Sequence, residues 1–431
     1  MIKLYIKQAF SLLKQNKLFS GIYIIGTGLA IAMVMVLVVI YYIKFADIYP
    51  ETNRSRIITV RQIKEKDKGN NTFIAPLSYR CIKEMFYTLE TPETVSGVSD
   101  SYYMVEYPDG ELVNLPVMYT DADFWKVFSF SFLKGKPYSE EEFRSGMSEA
   151  VVSASFAKKV FGEIDVIGKR MKVNFRDVRI CGVVKDASFA TSNSFSQIWL
   201  PYTCLPNYEM SWGSSNYIGG GFKVHILMRS GEDYAKVADE INQKFHKASN
   251  SQDKYTLSVI GNPDKHWENA LRESSDGAET NVKKILINSG LICLLLLLVP
   301  AVNLSGMISS RMEKRTSEMG IRKVFGASRS SLLNQILYEN LFLTCLGGLL
   351  GLLFCYVIIL FSHNWILNLM DAEAYPIPDG VSVQIMPSML FNPVVFIITF
   401  CICLLLNILS ALLPAWKSLR KNIMDSLNSI Y

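Results

Sequence analysis

The stretch that decides the fold is LFSGIYIIGTGLAIAMVMVLVVIYYI, which runs from Leu18 to Ile43 without a charged residue. As an α-helix these 26 residues rise about 39 Å at ~1.5 Å each, more than the ~30 Å hydrocarbon core of a bilayer. A secretory signal peptide has an apolar region of only about 7–15 residues, so we expect this segment to remain as an anchor. The sequence therefore predicts a transmembrane helix over 18–43.

Three further uncharged runs cover 285–310, 340–370 and 381–416. The last two exceed one crossing, so we expect each of them to include loop. The alternative for any single run is the buried core helix of a soluble protein, which rarely reads ILINSGLICLLLLLVPAV, as residues 285–302 do. We predict transmembrane helices at about 19–43, 285–309, 338–362 and 393–415.

The composition agrees with a membrane protein. Of 431 residues, 50% are hydrophobic and 19% are charged, and the mean hydropathy is +0.20. The 44 Lys+Arg against 39 Asp+Glu give a net charge of +5. That balance is unlike a chain whose main work is neutralising phosphates, so we exclude nucleic acid as a partner.

Basic residues indicate which side of the membrane each loop occupies. Residues 1–17 contain four Lys and no acidic residue, and the 311–333 loop and the tail are also basic, whereas 363–392 has three acidic residues and no Lys or Arg. We therefore predict a multi-pass protein of a bacterial inner (plasma) membrane, with both termini and the 311–333 loop cytoplasmic. An apolar stripe beside the Lys residues of 1–17 predicts an interfacial helix there.

The segment 44–284 would then be extracytoplasmic, periplasmic or extracellular, and its 241 residues suffice for one large domain or two lobes. The predicted fold class is an α-helical membrane protein with four transmembrane helices and a large α+β domain inserted between helices 1 and 2. The predicted strands are Arg56–Val60, Lys172–Phe175 and Phe222–Ile226. Helical spacing occurs within Glu149–Phe161 and Ala235–Phe245. Loops or lobe boundaries are predicted at Ala190–Ser194 and Gly213–Gly221.

Catalytic chemistry is not evident in this outer segment. The histidines His225, His246 and His266 lack the HExxH spacing of zinc proteases, and we interpret them as structural or solvated. The run GEIDVIGKR at 162–170 departs from a phosphate-binding loop, because Arg170 stands where Mg²⁺ needs a hydroxyl. We expect no catalytic residue, bound cofactor or metal in this chain.

Cysteine usage gives no disulfide framework. Cys81, Cys181 and Cys204 lie in the outer segment, so at most one disulfide is possible there, and the pairing stays open. The other five cysteines fall inside the predicted spans, where we interpret them as packing residues.

The 311–333 loop carries the pattern of a docking element. From Glu313 to Gly326 it reads EKRTSEMGIRKVFG, in which Glu and Arg residues three and four apart can pair along one helix face beside apolar residues. Gly326 can end that helix, and Ser328 or Ser330 can cap a second one that leads through Glu339 into the membrane. A loop whose charges only fix topology does not need this pattern, which suits docking into a groove on a cytoplasmic partner.

The run RTSEMGIRKVFGA, 315–327, resembles the signature of the FtsX-like/MacB-type ABC transporter permeases, placed as in that family just after the second span. The run LGGLLGL, 346–352, resembles the family's small-residue third span. The tail 413–427 resembles its C-terminal end, with Ser418 and Ile423 in place of the usual Ala and Pro. Motifs between Asp123 and Asp186 resemble the MacB-like periplasmic core domain, so the resemblance covers nearly the whole chain.

The resemblance implies a type VII, mechanotransmission ABC system. Two permease chains, as a homodimer or heterodimer, would pair with two copies of a separate cytoplasmic ATPase that uses ATP and Mg²⁺, and 285–431 would form the FtsX-like permease domain. The implied ATPase-coupling residues are Glu313, Arg315, Glu318, Met319, Gly320, Ile321, Arg322, Lys323, Phe325 and Gly326. The implied helix-packing residues are Gly347, Gly348 and Gly351.

With only 17 residues ahead of the first span, we expect the ATPase to be a separate polypeptide. ATP hydrolysis would then move the outer domains, for export or efflux of periplasmic substrates such as antimicrobial peptides. Alternative cargoes are lipoproteins released from the membrane, or a cell-wall hydrolase activated by the outer domain. A periplasmic adaptor and membrane lipid are further partners that the resemblance allows.

Two other classes of protein are weaker alternatives. A membrane-anchored sensor would need a cytoplasmic output domain, for which the 311–333 loop is too short. An anchored enzyme would need a catalytic constellation that the outer segment lacks.

Overall fold

The computed structural model describes most of the chain. It covers residues 17–188, 190–251, 254–261, 263–271, 283–292, 294–295, 298, 321–322, 324–370 and 393–420. The chain divides into two compact units, one formed by 1–42, 283–366 and 387–431 and the other by 43–282 with 367–386. The predicted interfacial helix over 1–17 lies outside the described residues except for Lys17.

The described helices are α1 (Lys17–Phe45), α2 (Tyr79–Cys81, continued by a π-helical turn over Ile82–Phe86), α3 (Phe124–Val127), α4 (Glu140–Arg144), α5 (Ala154–Phe161), α6 (Tyr234–Ser251), α7 (His266–Leu271), α8 (Arg329–Met370) and α9 (Pro393–Arg420). The described strands are β1 (Ile57–Val60), β2 (Gln62–Asp67), β3 (Thr72–Pro76), β4 (Thr94–Glu106), β5 (Leu112–Thr120), β6 (Phe132–Gly135), β7 (Glu149–Ser153), β8 (Arg170–Val173), β9 (Arg176–Val184), β10 (Ile198–Pro201), β11 (Lys223–Leu227), β12 (Tyr255–Val259) and β13 (Asp264–Lys265).

Among the described residues, two helical segments are long and apolar enough to cross a membrane: Ser20–Phe45 in α1 and Ser330–Ile359 in α8. They overlap the predicted spans 19–43 and 338–362. The helix α9 contains a shorter apolar segment, Phe396–Leu405, within the predicted span 393–415. Residues 283–292 are helical, but most of the predicted span 285–309 lies outside the described residues. The count of four transmembrane helices stays a prediction.

The helix α8 corrects the expectation that the run 340–370 includes a loop. It is one continuous helix of 42 residues, about 63 Å long at ~1.5 Å per residue. The prediction that 363–392 is a loop is therefore wrong for 363–370, which reads HNWILNLM and contains neither Gly nor Pro. An uncharged run indicates that a segment can cross a membrane as a helix. It does not show where the helix ends, which depends on where the backbone hydrogen bonds of the helix stop.

The outer unit is built on a mixed β-sheet. Its described strands form a ten-stranded sheet in the order β13-β1-β11-β4-β5-β10-β7-β9-β6, with β8 joined to β4 and β9, and a three-stranded sheet in the order β12-β2-β3. Most neighbours are antiparallel, but β10 is parallel to β5 and β7 is parallel to β9. Parallel neighbours need long crossovers, and α5 lies on the crossover from β7. The predicted mixture of helices and strands is confirmed for this unit.

Two apolar cores cover the faces of the large sheet. Because successive strand residues point to opposite faces, Ile58 packs in the larger core and Ile57 in the smaller one. The smaller core also contains Phe124, Phe128 and Trp199, all fully buried. Full burial of a large apolar side chain contributes roughly 1.5–3 kcal/mol, so these two cores stabilise the outer unit from both faces of the sheet.

The local predictions were confirmed at β1, β11 and α6. The strand predicted at 172–175 ends earlier, at Val173, because Asn174 and Phe175 both adopt positive φ, +48° and +62°, and form the two-residue turn into β9. Two positive φ angles in a two-residue loop are typical of the hairpin turn that matches strand twist.

Helical spacing over Glu149–Phe161 was only partly right. Residues Glu149–Ser153 form the fully buried strand β7, and the helix α5 begins at Ala154. The Ser153 side chain accepts a hydrogen bond from the Phe156 backbone N–H at 3.2 Å. Such an N-cap starts a helix at the next residue.

The predicted loops at 190–194 and 213–221 consist of turns, bends and an isolated bridge at Ile218. The three outer cysteines, Cys81, Cys181 and Cys204, are all free thiols. Burial raises the pKa of the Cys181 thiol to about 12, so it is a poor nucleophile at neutral pH.

Candidate coupling site

Four of the ten predicted coupling residues lie among the described residues: Ile321, Arg322, Phe325 and Gly326. Residues 321, 322 and 324 are helical, and a turn follows in which the Phe325 N–H donates to the Ile321 carbonyl at 3.1 Å. Gly326 has φ +90°, a left-handed conformation that favours glycine and commonly ends a helix. The other six lie outside the described residues: Glu313, Arg315, Glu318, Met319, Gly320 and Lys323.

Three apolar side chains in this turn are exposed, and we call them the coupling surface: Ile321, Val324 and Phe325. Their exposed fractions are 47%, 62% and 86%. An apolar group of this kind in a loop is typical of a surface that another molecule covers.

A second helix starts directly after this turn. The Ser328 side chain accepts a hydrogen bond from the Ser331 backbone N–H at 3.2 Å, so Ser328 is the N-cap of α8. Of the two predicted caps, Ser328 and Ser330, the structure selects Ser328. The long helix therefore starts at Arg329, only three residues beyond Gly326.

The structure gives Arg322 a partner within its own chain. Its Nη1 donates to the Gln335 Oε1 at 2.9 Å, and the Gln335 Nε2 donates to the Glu339 Oε1 at 3.2 Å. Glu339 is only 5% exposed. Sequence reasoning paired Arg322 with acidic residues three or four positions away and missed Gln335, which is thirteen positions away. The available signal was the i, i+4 spacing of Gln335 and Glu339 in the first turns of α8.

We call the side chains of Arg322, Gln335 and Glu339 the loop-to-helix relay. They hold the segment that carries the coupling surface against the first turns of α8. A hydrogen bond to a charged group contributes about 1.5–3 kcal/mol when it is shielded from water. The relay therefore fixes the position of the coupling surface relative to the start of α8.

Further along α8, small residues allow a close approach of α1. A Cβ on Gly351 would lie 2.8 Å from the Gly28 carbonyl oxygen, and a Cβ on Gly347 would lie 3.1 Å from the Thr27 side chain. The Tyr23 and Thr344 hydroxyls are 3.3 Å apart beside this contact and are buried. Gly348 faces α9, where a Cβ would lie 2.2 Å from the Phe400 ring. Contacts of this closeness require glycine and resemble the small-residue packing of membrane helices.

The outer unit contains histidines with structural surroundings. His225 is fully buried, and its Nδ1 lies 3.1 Å from the Thr59 Oγ1. Burial lowers the pKa of His225 well below its usual 6.5. His246 is exposed on α6. Within the described part of the chain, no group of His, Cys, Asp and Glu side chains has a metal-binding arrangement.

Comparison with known proteins identifies the class. Residues 20–244 match the MacB-like periplasmic core domain, and residues 290–423 match the FtsX-like permease C-terminal domain. The chain therefore belongs to the family of ABC transporter permeases that combine these two domains. This is a family of membrane permeases with a periplasmic domain.

Individual relatives agree with the family. The chain is 24% identical over 271 residues to the ABC transporter permease YknZ of Bacillus subtilis (strain 168), covering 63% of this chain and 58% of that protein. It is 24% identical over 340 residues to the macrolide export ATP-binding/permease protein MacB of Shewanella sp. (strain W3-18-1), covering 78% of this chain and 46% of that protein. The chain thus spans about half the length of these relatives.

Among solved structures, the extracellular domain of the YknZ transporter from Gram-positive bacteria matches 47% of this chain and 100% of its own, at 16% identity and a TM-score of 0.35. The periplasmic region of MacB from Actinobacillus actinomycetemcomitans matches 49% of this chain and 92% of its own, at 15% identity and the same TM-score.

Proposed function

We propose that this chain is the non-catalytic, membrane-spanning subunit of an ABC transporter and that a separate cytoplasmic ATPase docks on its coupling surface. Family membership supports the permease role. The carrying observation is the coupling surface itself, Ile321, Val324 and Phe325, which is apolar, exposed and placed on a turn that Gly326 terminates.

ATP binding and hydrolysis in the partner would displace the coupling surface. The loop-to-helix relay would pass that displacement to α8, and the glycine contact between α8 and α1 would pass it to α1. The helix α1 continues without interruption to Phe45, where the outer domain begins. In this proposal, movement of the helices is passed across the membrane, and the substrate itself does not cross it through this chain.

The test is purification of the full chain from detergent, followed by an ATPase assay and mass spectrometry. We expect the native chain to recover an ABC ATPase in about equal amount. Phe325→Ser should reduce that recovery at least tenfold, because the apolar contact is lost. The matched control is Phe175→Ser, at a side chain that is 71% exposed in the outer unit and outside the coupling surface; it should leave recovery unchanged.

The variants Glu318→Lys and Gly320→Trp extend the test to predicted coupling residues outside the described ones. Each should leave the chain folded and inserted but uncoupled from the ATPase. If these variants and Phe325→Ser recovered as much ATPase as the native chain, with the same activity, the assigned docking site would be refuted. Recovery of the native chain alone, without ATP hydrolysis, would favour the sensor or anchored-enzyme alternatives.

For cargo, we propose export or efflux from the periplasmic side of substrates such as antimicrobial peptides. The relatives named as macrolide export proteins support this choice. Lipoprotein release and activation of a cell-wall hydrolase are the alternatives within the same machine. Mass spectrometry of the same preparation separates the three. An adaptor with an outer-membrane channel would co-purify in the case of export, a lipoprotein in the case of lipoprotein release, and a hydrolase in the case of hydrolase activation.

A further inference from the structure

A buried ion pair lies at the point where α1 ends. The Arg54 Nε donates to the Glu51 Oε2 at 2.8 Å, and the two side chains are 2% and 1% exposed. The Arg54 Nη1 also donates to the carbonyls of Ile43 and Ala46, both at 2.7 Å. The last carbonyls of a helix have no partner within the helix, so Arg54 closes the end of α1.

The same two side chains bind the loop at 190–194. The Arg54 Nη2 donates to the Ala190 carbonyl at 3.3 Å, while the Glu51 Oε1 accepts from the Asn193 N–H at 3.2 Å and the Ser194 hydroxyl at 3.0 Å. The ion pair therefore bridges the end of α1 and this loop.

The loop is in turn fixed to the large sheet. The Trp199 Nε1, on β10, donates to the Ser194 carbonyl at 3.3 Å, and the Trp199 side chain is fully buried. The Thr191 hydroxyl donates to the Ser188 carbonyl at 2.6 Å, which closes a turn inside the loop. The ion pair therefore connects the end of α1, through this loop, to the core of the outer unit.

The chain segment that leads out of the outer unit reaches the same place. The His266 Nε2 lies 3.1 Å from the Lys44 carbonyl, to which it donates because a carbonyl only accepts. The Asn269 Nδ2 donates to the Asn193 Oδ1 at 3.2 Å. Both residues belong to α7, the last described element before the helical residues 283–292. The segment leaving α1 and the segment returning from the outer domain are thus tied to one loop.

A buried ion pair of this kind contributes little net stability to a protein core. Desolvating two charges costs free energy that well-packed apolar residues would not require, so a buried ion pair is weak support for stability alone. It does supply direction, because the planar guanidinium presents its donors in a fixed fork. Here the guanidinium donates to Glu51, to the carbonyls of Ile43 and Ala46 at the end of α1, and to the Ala190 carbonyl of the loop.

We propose that Arg54 and Glu51 are positioning residues that clamp the end of α1 to the 190–194 loop, so that a displacement of α1 reaches the sheet of the outer domain. This inference rests on the proposed function for its purpose, but the clamp itself is a property of the outer unit alone.

The test uses the full chain with its native cysteines replaced and nitroxide labels at Asp47→Cys, just after α1, and Phe175→Cys, on the outer hairpin. The variant is the double substitution Arg54→Met with Glu51→Leu, which removes both charges together and leaves neither one buried alone. The matched control is Arg56→Met, two residues away, which breaks an exposed ion pair with Glu93. Arg54→Lys, which keeps the charge but loses the fork, is the second variant in case the double substitution fails to fold.

The clamp predicts a narrow distance distribution between the labels in the native chain and in Arg56→Met. The double variant should give a distribution at least twice as wide, while ATPase recovery stays unchanged and export falls at least tenfold. A narrow distribution in the double variant would overturn the clamp, whether or not the chain is a transporter. A wide distribution with unchanged export would overturn its role in transmission. Failure of the native chain to recover an ATPase would refute the proposed function and leave the distance measurement as the test of the clamp.

Discussion

At Gly351, the backbones of α1 and α8 leave no room for a side chain. A Cβ there would lie 2.8 Å from the Gly28 carbonyl oxygen and 3.1 Å from the Ile31 side chain. Backbone atoms cannot move away as the end of a flexible side chain can. The helices must therefore separate or slide if any larger residue is introduced.

We predict that Gly351→Ala destabilises the full chain by about 1–3 kcal/mol, the usual cost of overpacking a close contact. The control is Gly26→Ala in α1, where a Cβ would meet nothing within 4 Å; that change should be neutral. Thermal unfolding in detergent measures both. Equal stability of the two variants would contradict the close approach.

His225 and His266 are two buried titratable groups from which we expect acid to destabilise the outer domain. Burial lowers the pKa of both rings below the 6.5 of an ordinary histidine. Below about pH 6.5 the unfolded chain therefore binds more protons than the folded chain, and stability is lost as the pH falls.

The expected loss reaches about 1.4 kcal/mol per pH unit for each histidine that stays neutral when folded. The measurement is the thermal midpoint of the full chain from pH 7.5 to 5. His225→Gln should reduce the pH dependence, whereas His246→Gln, at an exposed histidine, should leave it unchanged. A pH dependence as steep in His225→Gln as in the native chain would show that the His225 ring is not held neutral.

At the scale of elements, the first turns of α8 are joined to the coupling surface by the loop-to-helix relay. The relay is separate from the proposed docking contact, because Phe325 takes no part in the hydrogen bond between Arg322 and Gln335. A break in the relay should therefore leave the apolar surface present but poorly positioned.

We predict that Gln335→Leu lowers ATPase affinity three- to tenfold, because the Arg322–Gln335 hydrogen bond is lost and the coupling surface is less well fixed. Asn334→Leu, at the exposed neighbouring position, is the control and should keep native affinity. Titration of the purified ATPase onto the solubilised chain gives both values. If the two variants bind alike, the relay does not position the docking contact.

At the scale of the whole molecule, the predicted topology places the coupling surface and the outer domain on opposite sides of one membrane. Phe325 and Phe175 are 86% and 71% exposed, so each is accessible to a labelling reagent on its own side. In a background without native cysteines, each can be replaced by a single cysteine.

We predict that a membrane-impermeant maleimide labels Phe175→Cys in intact spheroplasts and labels Phe325→Cys only after permeabilisation. The reason is the charge asymmetry of the loops, which retains basic segments in the cytoplasm. Labelling of both residues in intact spheroplasts would mean that they lie on the same side of the membrane. The predicted orientation would then be wrong.

Much of this protein could be predicted from its sequence. The apolar run of 18–43 determines a long helix, because burying apolar surface and closing every backbone bond leave one solution for such a run in lipid. The motif around Glu318 and Gly326 indicated the resemblance to the FtsX-like/MacB-type permease family. Strands such as β1 and β11 followed from β-branched alternation.

Only the tertiary structure decided which distant residues meet. Arg322 binds Gln335, Gly351 meets Gly28, and Arg54 joins Ile43 to Ala190. Periodicity reports contacts within one helix or strand, whereas these contacts join segments that are far apart in sequence. The continuation of α8 to Met370 was seen only in its backbone. The strand at Glu149–Ser153 was likewise decided by its pairing in the sheet and its burial, which depend on what packs against a segment and not on its own residues alone.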